Sequence, residues 1–153
     1  MRQLSVKLRA ILLIADVHMK ILIIEDSRLL RTTTERTLAR AGYEVITAVD
    51  GEQGLRLAVE SKPDLVILDM MLPKLSGQQV LQQLRLNPSS ISTPVIVLTS
   101  LSESNRKKLL SEGASLYFEK SLVSMDSGSR PLLDAIETLL ASMGRAKAAS
   151  PTC

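Results

Sequence analysis

The sequence predicts an α/β fold: one doubly wound domain whose five-stranded parallel sheet runs in the order 2-1-3-4-5, with helices on both faces. Three observations point there. Short, unbroken runs of Ile, Val and Leu recur along the chain, as expected of strands covered on both faces. Helix-length stretches with recognisable caps fall between those runs. Strand and helix alternate five times, and such a βα repeat closes into an open parallel sheet with right-handed crossovers, for which 2-1-3-4-5 is a common order.

The elements follow in turn. Lys20-Ile-Leu-Ile-Ile-Glu25 reads as strand 1. Ser27 can cap a first helix, whose Leu30, Thr34, Leu38 and Ala41 recur at helical spacing until Gly42 stops it. Tyr43–Ala48 is a weaker strand 2. Asp50-Gly51 marks the turn into helix 2, which reaches about Ser61 before Lys62-Pro63 ends it. Leu65-Val-Ile-Leu68 is strand 3, and helix 3 spans Ser76–Leu86 before Asn87-Pro88. Pro94-Val-Ile-Val-Leu98 is strand 4. Helix 4 covers Ser104–Glu112, closed by Gly113, and Ser115–Glu119 is strand 5. Helix 5 starts near Pro131, a residue suited to a first turn, and ends before Gly144. The chain thus divides into an N-terminal extension (1–18), a domain (19–143) and a tail (144–153) expected to be disordered.

Composition removes several kinds of function. The 153 residues suit one domain with a real core. His18 and Cys153 are the single His and the single Cys, so zinc sites built from several such ligands are impossible and no internal disulfide can form. A Ser-His-Asp or Cys-His nucleophile system would have to use His18. A reducing compartment, the cytoplasm, is the expected location. Three aromatics leave little for stacking on bases. The net charge of +3 is misleading, because residues 1–18 and 144–153 carry +2 each and leave −1 for the domain. That domain offers no electrostatic case for binding DNA. No apolar stretch reaches the roughly 18 residues a membrane span needs. Met1–Arg9 is basic and Ala10–Val17 apolar, which imitates a signal peptide, but Asp16 breaks the run and no small-x-small cleavage site follows. Met19-Lys20 also reads like a natural beginning. Residues 1–18 are read as an extension that packs on the domain or a partner, or as a mis-assigned start, with a true export signal as the lesser alternative.

The polar residues that terminate the strands carry the chemistry. Strand 1 ends in Glu25-Asp26, strand 3 in Asp69, strand 4 in Thr99-Ser100 and strand 5 in Lys120. In open α/β sheets, ligands bind beyond the carboxyl ends of the strands, where the strand order reverses. For this order that point lies between strands 1 and 3, so Glu25, Asp26 and Asp69 should converge, flanked by Thr99 and Lys120. Three carboxylates and one ammonium sum to −2, and like charges so placed destabilise one another unless neutralised. A hard divalent cation does this, and Mg²⁺ favours one or two carboxylates with water and phosphate oxygens. With an ammonium opposite, such a site suits a transferring phosphoryl group, and a carboxylate can itself be the nucleophile. Singly, these residues have duller readings: Asp26 and Thr99 as helix caps, Asp69 as a solvated strand end, Lys120 as a surface lysine.

Four ordered segments resemble the receiver domain of bacterial response regulators, the CheY-like modules of two-component signalling. They are Ile-Ile-Glu25-Asp26-Ser27; Leu68-Asp69-Met-Met-Leu72-Pro73 followed by Gly77; Val97-Leu98-Thr99-Ser100; and Gly113-Ala114-Ser-Leu-Tyr117-Phe-Glu-Lys120. The successive steps from Asp26 to Asp69, from Asp69 to Thr99 and from Thr99 to Lys120 are 43, 30 and 21 residues, and the resemblance covers about residues 19–143. It implies that Asp69 accepts a phosphoryl group from a phosphohistidine on a sensor histidine kinase or histidine phosphotransfer protein. Asp26, Asp69 and the backbone carbonyl of Met71 would bind Mg²⁺, with Glu25 reaching it directly or through water. Lys120 would pair with Asp69 and later with the phosphoryl oxygens. Thr99 would move to hydrogen-bond that group, and Tyr117 would change rotamer with it.

By this resemblance the protein is a signalling phosphoacceptor and no enzyme beyond self-catalysed phosphorylation and dephosphorylation. Its switch is read by a downstream protein on helix 4, strand 5 and helix 5, a surface that also allows a homodimer. Only one helix and a tail follow Lys120, so no DNA-binding domain is expected. A stand-alone receiver, a phosphorelay shuttle and a piece of a longer chain are the alternatives.

Two departures carry expectations of their own. The family places proline after its lysine in a cis peptide; here the residue is Ser121, and a cis bond before a non-proline costs about 3 kcal/mol. Either a trans bond with a reshaped loop or a strained cis bond follows, and the serine-rich stretch Ser121–Arg130 suggests mobility. In the family, the side chains two places beyond the phosphoacceptor and the switch hydroxyl influence water's access to the phosphoryl group; here they are Met71 and Leu101, both apolar, so the resemblance implies slow self-dephosphorylation. Among other classes, a nucleotide-binding module would need a glycine-rich loop after strand 1, where Glu25-Asp26-Ser27-Arg28 stands. An aspartate phosphatase would want a second acid at Met71. A receiver-like adaptor that takes no phosphate is the remaining alternative.

Overall fold

The computed structural model describes residues 19–100, 105–123 and 130–149. The expectations for the extension 1–18, His18, Leu101, the serines from Ser124 to Ser129 and Cys153 lie outside the described residues. Five parallel strands, β1 (Lys20–Ile24), β2 (Glu44–Ala48), β3 (Leu65–Asp69), β4 (Val95–Thr99) and β5 (Leu116–Glu119), form one sheet in the order β2-β1-β3-β4-β5. The helices are α1 (Arg28–Arg40), α2 (Gly51–Ser61), α3 (Gly77–Leu86), α4 (Arg106–Ser111) and α5 (Arg130–Ala149).

The unbroken apolar runs are explained by two cores. Ile21, Ile23, Leu65, Ile67, Ile96 and Leu98 face Leu38 of α1 and Leu132 and Ile136 of α5. Their strand neighbours Leu22, Ile24, Val66, Leu68, Val95 and Val97 face Ala58 of α2, Val80, Leu81 and Leu84 of α3, and Leu109 of α4. Each such aliphatic side chain contributes about 2 kcal/mol through burial. With both faces covered, the carboxyl ends of the strands are left as the open rim where polar residues can gather.

Capping follows the sequence closely. Ser27 Oγ accepts from the Leu30 N–H at 3.4 Å, Asp50 Oδ1 from the Gln53 N–H at 2.8 Å, and Ser76 forms a capping box with Gln79. Gly42 and Gly113 take φ of +96° and +108° at the ends of α1 and α4, where a side chain would be strained. One helix differs. α5 runs on to Ala149, past the expected stop at Gly144. Gly144 is exposed with open space around it, so it costs only its weak propensity, about 1 kcal/mol, and Arg145-Ala-Lys-Ala-Ala149 are strong helix formers.

After β5 the chain enters a 3₁₀ turn, Lys120–Val123, through a trans Lys120–Ser121 bond. Of the two alternatives at this departure, the structure has the first. The turn carries Val123 into the core beneath α5. No described helix is long and apolar enough to cross a membrane.

Candidate functional site

β1 and β3 are neighbours, with Ile24 paired to Leu68, so the residues that follow, Glu25 and Asp69, end adjacent strands side by side. Glu25 continues the ladder by donating its N–H to Ala48 O at 3.0 Å. Both acids are buried, whereas Asp26 is exposed on the rim. One carboxylate oxygen from each of Glu25, Asp26 and Asp69 lies within 4.8 Å of the others.

Lys120 enters from the far side of the sheet. Its Nζ is 2.8 Å from Asp69 Oδ2 and 3.1 Å from Glu25 Oε2, and it donates a long hydrogen bond, 3.4 Å, to Glu25 Oε1. Backbone donors hold the other oxygens: the Ser27 N–H reaches Glu25 Oε1 at 3.0 Å, and the Met71 N–H reaches Asp69 Oδ1 at 3.1 Å. Glu25 Oε2 and Asp69 Oδ2, although close to the ammonium, are buried and accept no hydrogen bond of good geometry. Buried acceptors left this way are costly unless something else meets them.

The electrostatics agree. Burial, with the charge of Asp69 added, pushes the Glu25 carboxyl up to about 7 against the opposing pull of the Ser27 N–H and Lys120. For Lys120, burial works against the charged form, but the hydrogen bonds and charges of Asp69 and Glu25 outweigh it and raise its pKa. Three carboxylates against one ammonium leave net −2 when all are ionised, and the orphaned oxygens are hard donors. The residues present therefore fit a small divalent cation such as Mg²⁺.

Thr99 is buried at the end of β4, beside the β3 strand that ends in Asp69. Met71 is 64% exposed, so this residue enters the site through its backbone. Tyr117 is half-buried in β5, paired with Val97 and packed on the core under α2–α4. Sequence reasoning missed Arg31, whose Nη1 donates to the carbonyls of Glu25 at 2.9 Å and Asp26 at 3.3 Å and so fixes the acidic pair. Its only signal was a place one turn into α1. Gly77, named with the Asp69 segment in the sequence, closes the loop: its N–H donates to Met70 O at 3.0 Å, and a Cβ there would overlap the Asp69 carbonyl oxygen.

A family model described as the response regulator receiver domain matches residues 21–127. The chain belongs to that family. This receiver domain is 43% identical over 105 residues to the alkaline phosphatase synthesis transcriptional regulatory protein PhoP of Bacillus subtilis, covering 68% of this chain and 43% of PhoP. It is 41% identical over 102 residues to the DNA-binding dual master transcriptional regulator RpaA of Synechocystis, covering 66% and 42%. Among solved structures, the receiver resembles chemotaxis protein CheY4 of Vibrio cholerae with a TM-score of 0.70 at 28% identity, covering 78% of this chain and 96% of that one. The BeF3-activated N-terminal receiver domain of Klebsiella pneumoniae RstA matches at 0.68 and 30%, with the same two coverages.

The matched stretch is less than half the length of PhoP and RpaA. The expectation of a partner set without a DNA-binding domain is thereby corrected, since these relatives are transcriptional regulators and one is named as DNA-binding. The charge and length of a receiver report on the receiver alone and carry no information about what is joined to it.

Proposed function

We propose that Asp69 is the phosphoacceptor of a two-component or phosphorelay pathway, charged by a phosphohistidine on a kinase or phosphotransfer partner. The observation that carries this reading is Lys120 Nζ standing 2.8 Å from Asp69 Oδ2, with three carboxylates gathered within 4.8 Å. Glu25, Asp26, Asp69 and the backbone carbonyl of Met71 are the groups to hold Mg²⁺. When bound, Mg²⁺ neutralises the clustered carboxylates and the charge that develops on the phosphoryl oxygens.

An Asp69 carboxylate oxygen attacks the phosphorus, forming an O–P bond as the histidine N–P bond breaks. The imidazole leaves with the bonding pair and takes up a proton. Lys120 then follows the charge from the carboxylate to the phosphoryl oxygens, and the Thr99 hydroxyl moves to hydrogen-bond one of them. Tyr117, on the neighbouring strand β5, changes rotamer with Thr99. The switch is one of local charge acting on a two-state element. Its output is regulation of transcription, a reading supported by the relatives PhoP and RpaA.

Incubation with acetyl phosphate and Mg²⁺, followed by intact mass, tests the reading. The wild-type protein should gain one phosphoryl group and the Asp69→Asn variant none. A wild-type mass unchanged under conditions that load another receiver would sink it.

A further inference from the structure

The loop that follows Asp69 contains a residue in an unfavourable conformation. Lys74 has φ of +67° and is the central residue of a γ-turn, closed by the Leu75 N–H to Pro73 O at 2.9 Å, a strained positive-φ conformation that glycine adopts more readily than lysine. Its ammonium donates to Asp50 Oδ2 at 2.9 Å and lies 3.8 Å from Glu52. Asp50 is a rigid partner. Its side chain is only 11% exposed, and its other oxygen already caps α2 through the Gln53 N–H at 2.8 Å. The same junction is tightly packed, because a Cβ on Gly51 would come within 2.6 Å of the Leu75 carbonyl oxygen. The loop is closed internally as well, by Leu75 N–H to Pro73 O at 2.9 Å and Gly77 N–H to Met70 O at 3.0 Å.

We infer that Lys74 is a positioning residue: its ion pair with Asp50 holds a non-glycine residue at the strained centre of this γ-turn and thereby sets the shape of loop 70–76 beside the acid cluster. The mutual pKa shifts agree, with Asp50 lowered first by the Gln53 N–H and then by Lys74, and Lys74 raised by Asp50. The loop carries the Met71 backbone, which already binds Asp69 Oδ1. The consequence for metal binding rests on the function proposed above; the loop-holding role does not.

The role predicts a dependence between two positions that a plain stabilising contact lacks. Asp50→Asn keeps a capping oxygen for α2 and removes the charge that holds Lys74. Lys74→Gly removes the ion pair and also the need for it. Lys74→Ala removes the pair and keeps the strain. Amide hydrogen exchange at Leu75 and Gly77 reads the loop, and calorimetric Mg²⁺ titration reads the site.

Asp50→Asn and Lys74→Ala should each speed exchange at those amides by about fivefold and weaken Mg²⁺ by a similar factor. Lys74→Gly should stay near wild type, and adding Asp50→Asn to it should change nothing further. Equal effects of Asp50→Asn with Lys or Gly at position 74, or none in either background, would overturn the inference, because Asp50 would then act only on α2. The expected exchange pattern with one unchanged Mg²⁺ affinity in all variants would overturn the positioning of the site. The same pattern with no Mg²⁺ binding even in wild type would support the latch and reject the metal reading instead.

Discussion

Lys120 reaches Asp69, Nζ to Oδ2 at 2.8 Å, across a trans bond to Ser121 and from a 3₁₀ turn. The contact therefore does not need the proline that follows this lysine in the family. Lys120 directly follows β5, and the end of that strand brings its side chain to the acids.

That contact predicts the cost of removing it. Lys120→Met leaves Glu25 and Asp69 buried side by side with no cation between them. Breaking a buried pair costs about 3–5 kcal/mol, and here the loss should be smaller, about 1–3 kcal/mol, because the Lys120 side chain is 23% exposed and Glu25 can take a proton. Urea unfolding in EDTA measures it. Addition of Mg²⁺ should recover part of the loss, since a divalent cation replaces the missing charge.

Glu25 sets the pH dependence of the metal-free protein. Its carboxyl titrates near 7 in the folded state against 4.5 in the unfolded chain, so between these values the folded state binds more protons. Stability must then fall as pH rises from 4.5 towards 7 and level off above it, a span on the order of 3 kcal/mol. Urea midpoints at pH 5 and pH 8 in EDTA should show the decline, and Glu25→Gln should flatten it. Saturating Mg²⁺ should also flatten it, because the cation takes the place of the proton.

Asp26 separates stability from binding. It is the exposed member of the acid cluster, with a carboxylate oxygen within 4.8 Å of those of Glu25 and Asp69. Asp26→Asn should leave the metal-free protein unchanged or more stable by up to about 1 kcal/mol. It should also abolish most of the Mg²⁺-dependent gain, which for a bound cation at a hundred times its Kd is about 2.7 kcal/mol. Thermal melts with and without Mg²⁺ check both halves together.

Much of this site could be read from sequence because parallel strands bring their carboxyl ends to one rim. Once Ile24, Leu68 and Leu98 are recognised as the last apolar residues of their strands, Glu25, Asp69 and Thr99 can only gather there. What was illegible depends on loop geometry. Arg31 and the Lys74–Asp50 pair carry no periodic signal, and the pair spans 24 residues through two turns whose shapes no pattern specifies. Gly144 misled for the opposite reason. A glycine is a strong stop where the chain must turn, but in an exposed helix with good helix formers beyond it the penalty is too small to end anything.

Met71 allows the lifetime of the phosphorylated state to be tested without disturbing the fold. Its backbone is pinned by the N–H bond to Asp69 Oδ1, while the residue is 64% exposed. A substitution there changes what water meets beside Asp69 and leaves the acid in place. An apolar thioether neither orients nor activates a water, so the aspartyl phosphate should outlast many seconds. Met71→Asn or Met71→Glu adds a group able to hold an attacking water and should speed loss of the adduct roughly tenfold, below the full 10²–10⁴ of a well-placed general base. Time-resolved intact mass after removal of acetyl phosphate gives both rates. Equal decay in wild type and variants would mean that some other group controls access of water to the phosphoryl bond.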